Sequence, residues 1–276
     1  MSGPGSYLAR FEPFEQVGST NDVVRDWLAA GQPEVCLAVA REQTAGRGRS
    51  GRTWHAPRDA ALLLSLGFRP TWLPPERAWQ LAAIVSLAMA DAATAITGPR
   101  MAGNVIALKW PNDLVVERDD GELRKLGGVL GETEGLGTAD PRVIVGIGLN
   151  ADWRVEDFPA ELAASMTSLG ELAGPRVDIA GLLPAFVERL GSRIEDLRDG
   201  QFDAAGWSDR QVTTGRTIQL ERPDGTEIVR AAGVDPTTGA LLVADPDGPA
   251  GPAGERPVFV GEITRVRLAP TVAAGV

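Results

Sequence analysis

VIALKWPNDLVVERDDGELRKLGGVLGETEGLGTADPRVIVGIGLN, residues 105–150, holds four β-rich runs: Val105 to Trp110, Leu114 to Glu117, Leu126 to Glu132 and Val143 to Leu149. The Gly, Asn and Asp turns between them are too short for a crossover helix, so neighbouring runs are expected to pair antiparallel. Two further runs lie upstream, Val35 to Ala40 and Leu62 to Phe68. Only the segment after Pro75 separates strands widely. Its apolar stretch Leu81 to Ile96 (LAAIVSLAMADAATAI) is shorter than a bilayer span and carries Asp91, which predicts a buried helix of a globular core. The expected fold is α+β, a mixed and largely antiparallel sheet with flanking helices, in preference to a doubly wound parallel sheet.

Working outward, Ser19-Thr20-Asn21 supplies side-chain oxygens ahead of Val23, Val24, Trp27 and Leu28, whose spacing makes one apolar helical face, and Gly31 is placed to stop it. This predicts a helix from about Asn21 to Ala30. Toward the other end, Asp178 to Arg198 carries Leu182, Leu183, Phe186, Leu190, Ile194 and Leu197 on one helical stripe. After Gly200 to Trp207 the character changes to a small all-β unit. Its strands are Thr217 to Leu220, Thr226 to Val229, Ala240 to Ala244, Val258 to Val260 and Thr264 to Leu268, separated by turns such as Arg222-Pro223-Asp224-Gly225. The Pro/Gly-rich segment Asp245 to Pro257 reads as a mobile surface loop. The expected organisation is a catalytic or ligand-binding unit, residues 1–206, and a small all-β unit, residues 207–276.

With 276 residues and 43% apolar content, the chain can bury a sizeable core without disulfides or metal. Its formal net charge of -10 opposes general nucleic-acid binding, although local basic sites remain open. The single Cys36 lies in an apolar run and reads as a small core residue, while a lone His55 excludes a two-histidine zinc site. The segment Met1 to Phe14 lacks a secretory pattern, so a cytoplasmic protein without membrane contact is expected.

The most unusual segment is Gln43 to Trp54 (QTAGRGRSGRTW), where glycines alternate with Arg47, Arg49 and Arg52. Glycines let backbone N–H groups approach an anion, and guanidinium groups offer planar donors to carboxylate or phosphate. A flexible RGG-like nucleic-acid tail or a solvated basic turn is the plainer alternative, but position disfavours a tail: this run lies between two predicted core strands of an acidic chain and ends in an aromatic platform, Trp54. Its three unpaired guanidinium groups are expected to leave the loop mobile until an anion arrives. Lys109-Trp110-Pro111-Asn112-Asp113 closes a strand where Pro111 breaks pairing; it is equally a capped turn or a site. Lys125 stands at the mouth of a strand ahead of Gly127 and Gly128, which either admit a ligand or mark a β-bulge. Gly146-Ile147-Gly148-Leu149-Asn150 ends in an Asn that faces a ligand or caps a turn.

Taken in order, these segments resemble the biotin protein ligases. The resemblance rests on Gly18-Ser19-Thr20-Asn21, the GRGRSGRTW run within Gln43 to Trp54, Lys109 to Asp113, Lys125 to Glu132 and Gly146 to Asn150. It is strong from about Gln16 to Asn150 and continues faintly to Gly261-Glu262-Ile263. It implies an SH3-like β-barrel for the C-terminal unit. It also implies ATP with Mg²⁺ as cofactors, biotin as substrate and a biotin carboxyl carrier domain as partner. Ser19, Thr20, Asn21 and Gln43 would face the ureido ring, Arg47, Gly48 and Arg49 would close over the biotin side chain, and Gly128 would offer backbone to the ring. Lys125 would lie between the biotin carboxylate and the α-phosphate. Arg52, Trp54, Lys109, Asn112 and Asn150 would line the nucleotide side, and Asp113 would meet the acceptor lysine. No protein ligand for a metal is implied, since Mg²⁺ would ride on the ATP phosphates.

Activation joins a carboxylate to an anionic phosphorus, so cations must offset the repulsion; Lys125 and Arg49 are the candidates, with Asp113 the third catalytic group. Bifunctional members carry an N-terminal winged helix, for which the eighteen residues before Ser19 are too few, so no role on DNA is expected. A lipoate or octanoyl transferase of the same fold is the rival enzyme reading. A non-catalytic nucleotide or nucleic-acid binder is the rival of another class.

Overall fold

In the computed structural model, residues 5–98, 105–174, 179–248, 251 and 254–266 are described. The chain opens with strand β1 (Arg10–Phe14), helix α1 (Thr20–Ala29), β2 (Cys36–Ala40) and β3 (Ala61–Phe68). After helix α2 (Trp79–Thr97) come β4 (Ile106–Lys109), β5 (Asp113–Glu117), β6 (Leu123–Glu134) and β7 (Arg142–Asn150). These seven strands form one sheet in the order β1-β2-β3-β7-β6-β5-β4. Every neighbouring pair is antiparallel except β1 with β2. The sheet is thus mixed and largely antiparallel, as the short turns demand. Strand β1 was not foreseen: Arg-Phe-Glu-Pro-Phe carries Pro13, which an edge strand tolerates.

The sheet has two different faces. One is covered by α2, whose apolar residues run all round the helix because it lies between the sheet and α5 (Ile179–Arg198). The segment Pro75–Thr97 is long and apolar enough to cross a membrane, but it is mostly buried inside the protein. In α5 the predicted stripe Leu182, Phe186, Leu190, Ile194 and Leu197 is buried, and Leu183 packs against the same core. Asp178, the expected start of this helix, lies outside the described residues. The other face carries α1, with Val24, Trp27 and Leu28 packed on Cys36, Ala38 and Ile144. Burial pushes the Cys36 thiol up to about 11, in keeping with a core residue.

Between β7 and α5 lie two short helices, α3 (Ala160–Ala163) and α4 (Leu169–Ala173), and α6 (Ala204–Asp209) follows α5. A second antiparallel sheet holds β8 (Thr217–Arg222), β9 (Gly225–Val234), β10 (Leu241–Ala244), β11 (Arg256–Val258) and β12 (Glu262–Val266), in the order β11-β10-β9-β8-β12. It is consistent with an SH3-like unit; among the described residues β11 and β12 are not paired with each other. The strand expected over Val258 to Val260 instead begins earlier, so Arg256 and Pro257 leave the expected loop and pair with β10. Residues 249, 250, 252 and 253 of that loop, and Leu268 at the expected end of the last strand, lie outside the described residues. The second sheet is welded to the first: Trp110 Nε1 donates to Gly239 O at 3.1 Å, and Leu108 bonds to Arg210 O and Val212 N.

Candidate active site

Above the α1 side of the sheet is a cavity of about 890 Å³. Its floor follows from period-two alternation along paired strands. On β7, Gly146 and Gly148 point to the same face, opposite Ser65 and Leu63 of β3 and opposite Leu130 and Gly128 of β6. Side chains there would fill the cavity. A Cβ on Gly146 would run into Asn21 Oδ1, and one on Gly148 would lie 2.6 Å from the Trp54 ring.

Lys125 reaches this face through a bulge. Counting back in twos from Gly128 would send Lys125 to the opposite, α2 side. The β5–β6 register shifts between Leu114 and Val115, so that Leu126 is an extra residue buried in the core and Lys125 pairs with Val115 on the cavity face. The bulge expected as one reading of this segment is present, and it aims the cation. Lys125 Nζ lies 2.6 Å from Asp113 Oδ1, and Lys109 Nζ lies 3.3 Å from Asp113 Oδ2. Asp113, buried at the start of β5, is thus held by two lysines. Asn112 is pinned beside it, donating Nδ2 to Val129 O at 2.8 Å.

The N-terminus of α1 forms an uncharged polar wall. Ser19 is the N-cap residue, but its hydroxyl makes no capping bond; Ser19, Thr20 and Asn21 are all buried and line the cavity instead. The Thr20 backbone N–H donates to Gln43 Oε1 at 2.7 Å.

The arginine loop folds back on itself, with Gly48 N donating to Arg52 O and Trp54 N to Gly46 O. Two of its three guanidinium groups are ion-paired, which corrects the sequence expectation. Arg47 forks onto Asp22 with two bonds of 2.7 Å and approaches Glu132 at 3.5 Å. The hydrogen bond from Arg47 holds the Asp22 carboxyl below its ordinary range, helped by Arg25. Arg52 pairs with Glu262 of β12 at 2.6 Å. Arg49 differs. Burial lowers its pKa, it donates to Gly261 O at 3.4 Å, and among the described residues no carboxylate lies within ion-pair distance. A half-buried cation without a carboxylate partner is suited to an incoming anion.

Ser19, Thr20, Asn21, Gln43, Arg47, Gly48, Arg49, Arg52, Trp54, Lys109, Asn112, Asp113, Lys125 and Gly128 all line the one cavity. Asn150 does not. It is fully buried and donates Nδ2 to Thr167 O at 3.0 Å, which ties β7 to the segment before α4. Sequence reasoning overlooked Asp22 and Glu132, the partners of Arg47, although both stand inside or beside segments already singled out. It also overlooked Glu262, whose link to Arg52 spans the two sheets. Trp54 lies 5.6 Å from Lys125 Nζ across its ring, and its Nε1 is buried without a partner among the described residues.

Comparison with known proteins agrees with this geometry. Residues 14–150 match the model of the biotin/lipoate A/B protein ligase family. The biotin--[acetyl-CoA-carboxylase] ligase of Mycobacterium tuberculosis is 32% identical over 234 residues, covering 84% of this chain and 82% of that protein. The bifunctional ligase/repressor BirA of Bacillus spizizenii is 30% identical over 234 residues, covering 84% of this chain and 68% of its own length. Among solved structures, the biotin protein ligase from Aquifex aeolicus in complex with biotin and ATP superposes with a TM-score of 0.72 at 24% identity, covering 94% of this chain and 99% of that one. The chain belongs to the biotin/lipoate A/B protein ligase family, among its biotin protein ligases.

Proposed function

We propose that this protein activates biotin with ATP to biotinyl-5′-AMP and transfers the biotinyl group to a lysine of a biotin carboxyl carrier domain. One observation carries the reading: a single cavity joins an uncharged polar wall, Ser19 to Asn21 with Gln43, to a cationic end built from Lys125 and Arg49. A ligand with a neutral polar head and a carboxylate tail matches that polarity.

In the first step a carboxylate oxygen forms a bond to the α-phosphorus and the α–β phosphoanhydride breaks, releasing pyrophosphate. Lys125 and Arg49 lower the repulsion between the two anions and stabilise charge as it develops. Arg47 and Gly48 close over the biotin chain, and Gly128 leaves room for the ligand to approach the backbone of β6. Arg52, Trp54, Lys109 and Asn112 serve the nucleotide side; Asn150 contributes by holding β7 in place. Magnesium would arrive on the ATP phosphates and neutralise part of their charge. Among the described residues no three His, Cys, Asp or Glu side chains converge on a metal site of their own.

In the second step the acceptor amine, with an unperturbed pKa of about 10.4, must lose a proton before its nitrogen attacks the anhydride carbonyl and AMP leaves. In this reading Asp113 takes that proton once Lys125 has turned from it to the phosphate. The division at residues 206/207 belongs to this reading, with the C-terminal unit contributing Glu262 and the Ile263 carbonyl to the site's cations. The reading takes the reaction to run in the cytoplasm, where ATP is supplied, with neither DNA nor membrane among its partners.

The test is biotin-dependent exchange of pyrophosphate into ATP, followed by label transfer to a purified carrier domain with lipoate as control. Exchange and transfer with biotin alone are expected. Transfer of lipoate in preference to biotin, or no exchange at all, would overturn the reading.

A further inference from the structure

Ser65 of β3 is fully buried and does not line the cavity, yet its hydroxyl touches two residues that do. Its Oγ lies 2.6 Å from Thr20 Oγ1 and 2.5 Å from Asn21 Oδ1. The direction of each bond follows from Glu132. That carboxylate sits beside Arg25 and Arg47 and only accepts, so Asn21 must present its Nδ2 there, at 2.6 Å. Asn21 Oδ1 therefore faces Ser65, and the single hydroxyl proton of Ser65 is committed to it. Towards Thr20, Ser65 Oγ can then only accept.

Gln43 is oriented just as firmly. Its Oε1 accepts the Thr20 backbone N–H at 2.7 Å and lies 3.0 Å from Thr20 Oγ1. Thr20 thus has one hydroxyl proton for two acceptors, Ser65 Oγ and Gln43 Oε1. With that proton on Ser65 Oγ, Gln43 Oε1 holds only the Thr20 backbone N–H and keeps a lone pair free. The wall therefore offers acceptor lone pairs at Gln43 Oε1 and Thr20 Oγ1, and a ligand that supplies an N–H can bond there.

We propose that Ser65 is a positioning residue that sets the hydrogen-bond polarity of the Thr20–Asn21–Gln43 wall, so that the wall selects a head group bearing N–H donors, such as a cyclic urea, over a head that carries none. This deepens the functional reading above and rests on it, since it takes the wall to hold the biotin ring. Without the Ser65 hydroxyl, the Thr20 proton goes uncontested to Gln43 Oε1 and occupies the lone pair that a ligand N–H would meet.

The experiment uses the full-length chain and pyrophosphate exchange. For Ser65→Ala the KM for biotin is expected to rise about tenfold, and that for desthiobiotin, which keeps the urea but lacks the thioether ring, by the same factor. The kcat at saturating biotin, the KM for ATP and the inhibition constant of lipoate, which has no N–H, stay as in the wild type. Ser65→Cys, with a weaker donor of similar size, recovers part of the loss and carries the test if the alanine variant does not fold. In a Thr20→Val background, Ser65→Ala adds nothing further. An unchanged biotin KM, or losses shared equally by biotin, lipoate and ATP, would overturn this inference while leaving the ligase reading intact. A wild-type protein without biotin-dependent exchange would remove the ligase reading itself, and this inference with it.

Discussion

Lys125 and Asp113 share one short ion pair, yet they are expected to fail in different steps. Replacing Lys125 with Ala removes a cation from the side of the cavity where the proposed function seats phosphate, and loss of one preorganised donor of this type costs about 3 kcal/mol or more of transition-state stabilisation. Lys125→Ala should therefore reduce biotin-dependent pyrophosphate exchange by two orders of magnitude or more, with the fold retained because Asp113 keeps Lys109 at 3.3 Å. Near wild-type exchange would remove Lys125 from the chemistry. Asp113→Asn keeps the size and the acceptor oxygen but loses the charge that attracts and deprotonates an ammonium. Single-turnover transfer from preformed biotinyl-5′-AMP should slow more than adenylation does. If the transfer rate is unaltered, Asp113 only anchors the two lysines.

Strand β7 acts as an element through the two glycines on its cavity face. Gly148→Ala places a methyl group against the Trp54 ring, 2.6 Å away in the present arrangement, so the indole must move off the floor. The expected result is a KM for ATP raised about tenfold, with the melting temperature little changed. Gly131→Ala on β6 is the control, because its nearest neighbour would be Ala82 Cβ at 4.0 Å. The arginine loop is the second element with its own prediction. Asp22 tethers Arg47, and its carboxyl is held below the ordinary range by that hydrogen bond. A depressed folded pKa means that the tether contributes fully above the ordinary carboxylate range and is lost only as pH falls through the lower folded value. Asp22→Asn should accelerate amide hydrogen exchange across residues 44–52, after correction for intrinsic rates, by the same factor at pH 7 and pH 5. A wild-type loop that loosens between those two pH values would contradict the assignment.

For the molecule as a whole, the decisive contact is the approach of the second sheet to the arginine loop. Arg52 and Glu262 pair at 2.6 Å, but the Arg52 side chain is 59% exposed, so the pair adds little to stability. Glu262→Ala should leave the melting temperature within about 2 °C of wild type, in line with the 0–1 kcal/mol typical of exposed pairs. Tryptic cleavage after Arg52 should nevertheless become faster, since the loop loses a tether from β12. A large fall in melting temperature with unchanged cleavage would show that Glu262 supports the fold and not the loop.

Much of this was legible along the chain. Short turns between residues 105 and 150 required antiparallel pairing, and the arginine run stood out as the candidate for holding an anion. Such features are local: turn chemistry and period-two alternation depend on a few consecutive residues. Other features required the folded chain. The parity of Lys125 depends on one extra residue, Leu126, which only the pairing of β5 with β6 reveals. The partners of the arginines come from α1, β6 and β12, and Asn150 turns toward Thr167 instead of the cavity. Strand β1 pairs parallel with β2 across an intervening helix, so no short motif announces it. Sequence by itself determined which residue types and spacings were present for the chemistry. Tertiary structure decided which of them meet, because register, bulges and ion-pair partners are properties of segments brought together from distant parts of the chain.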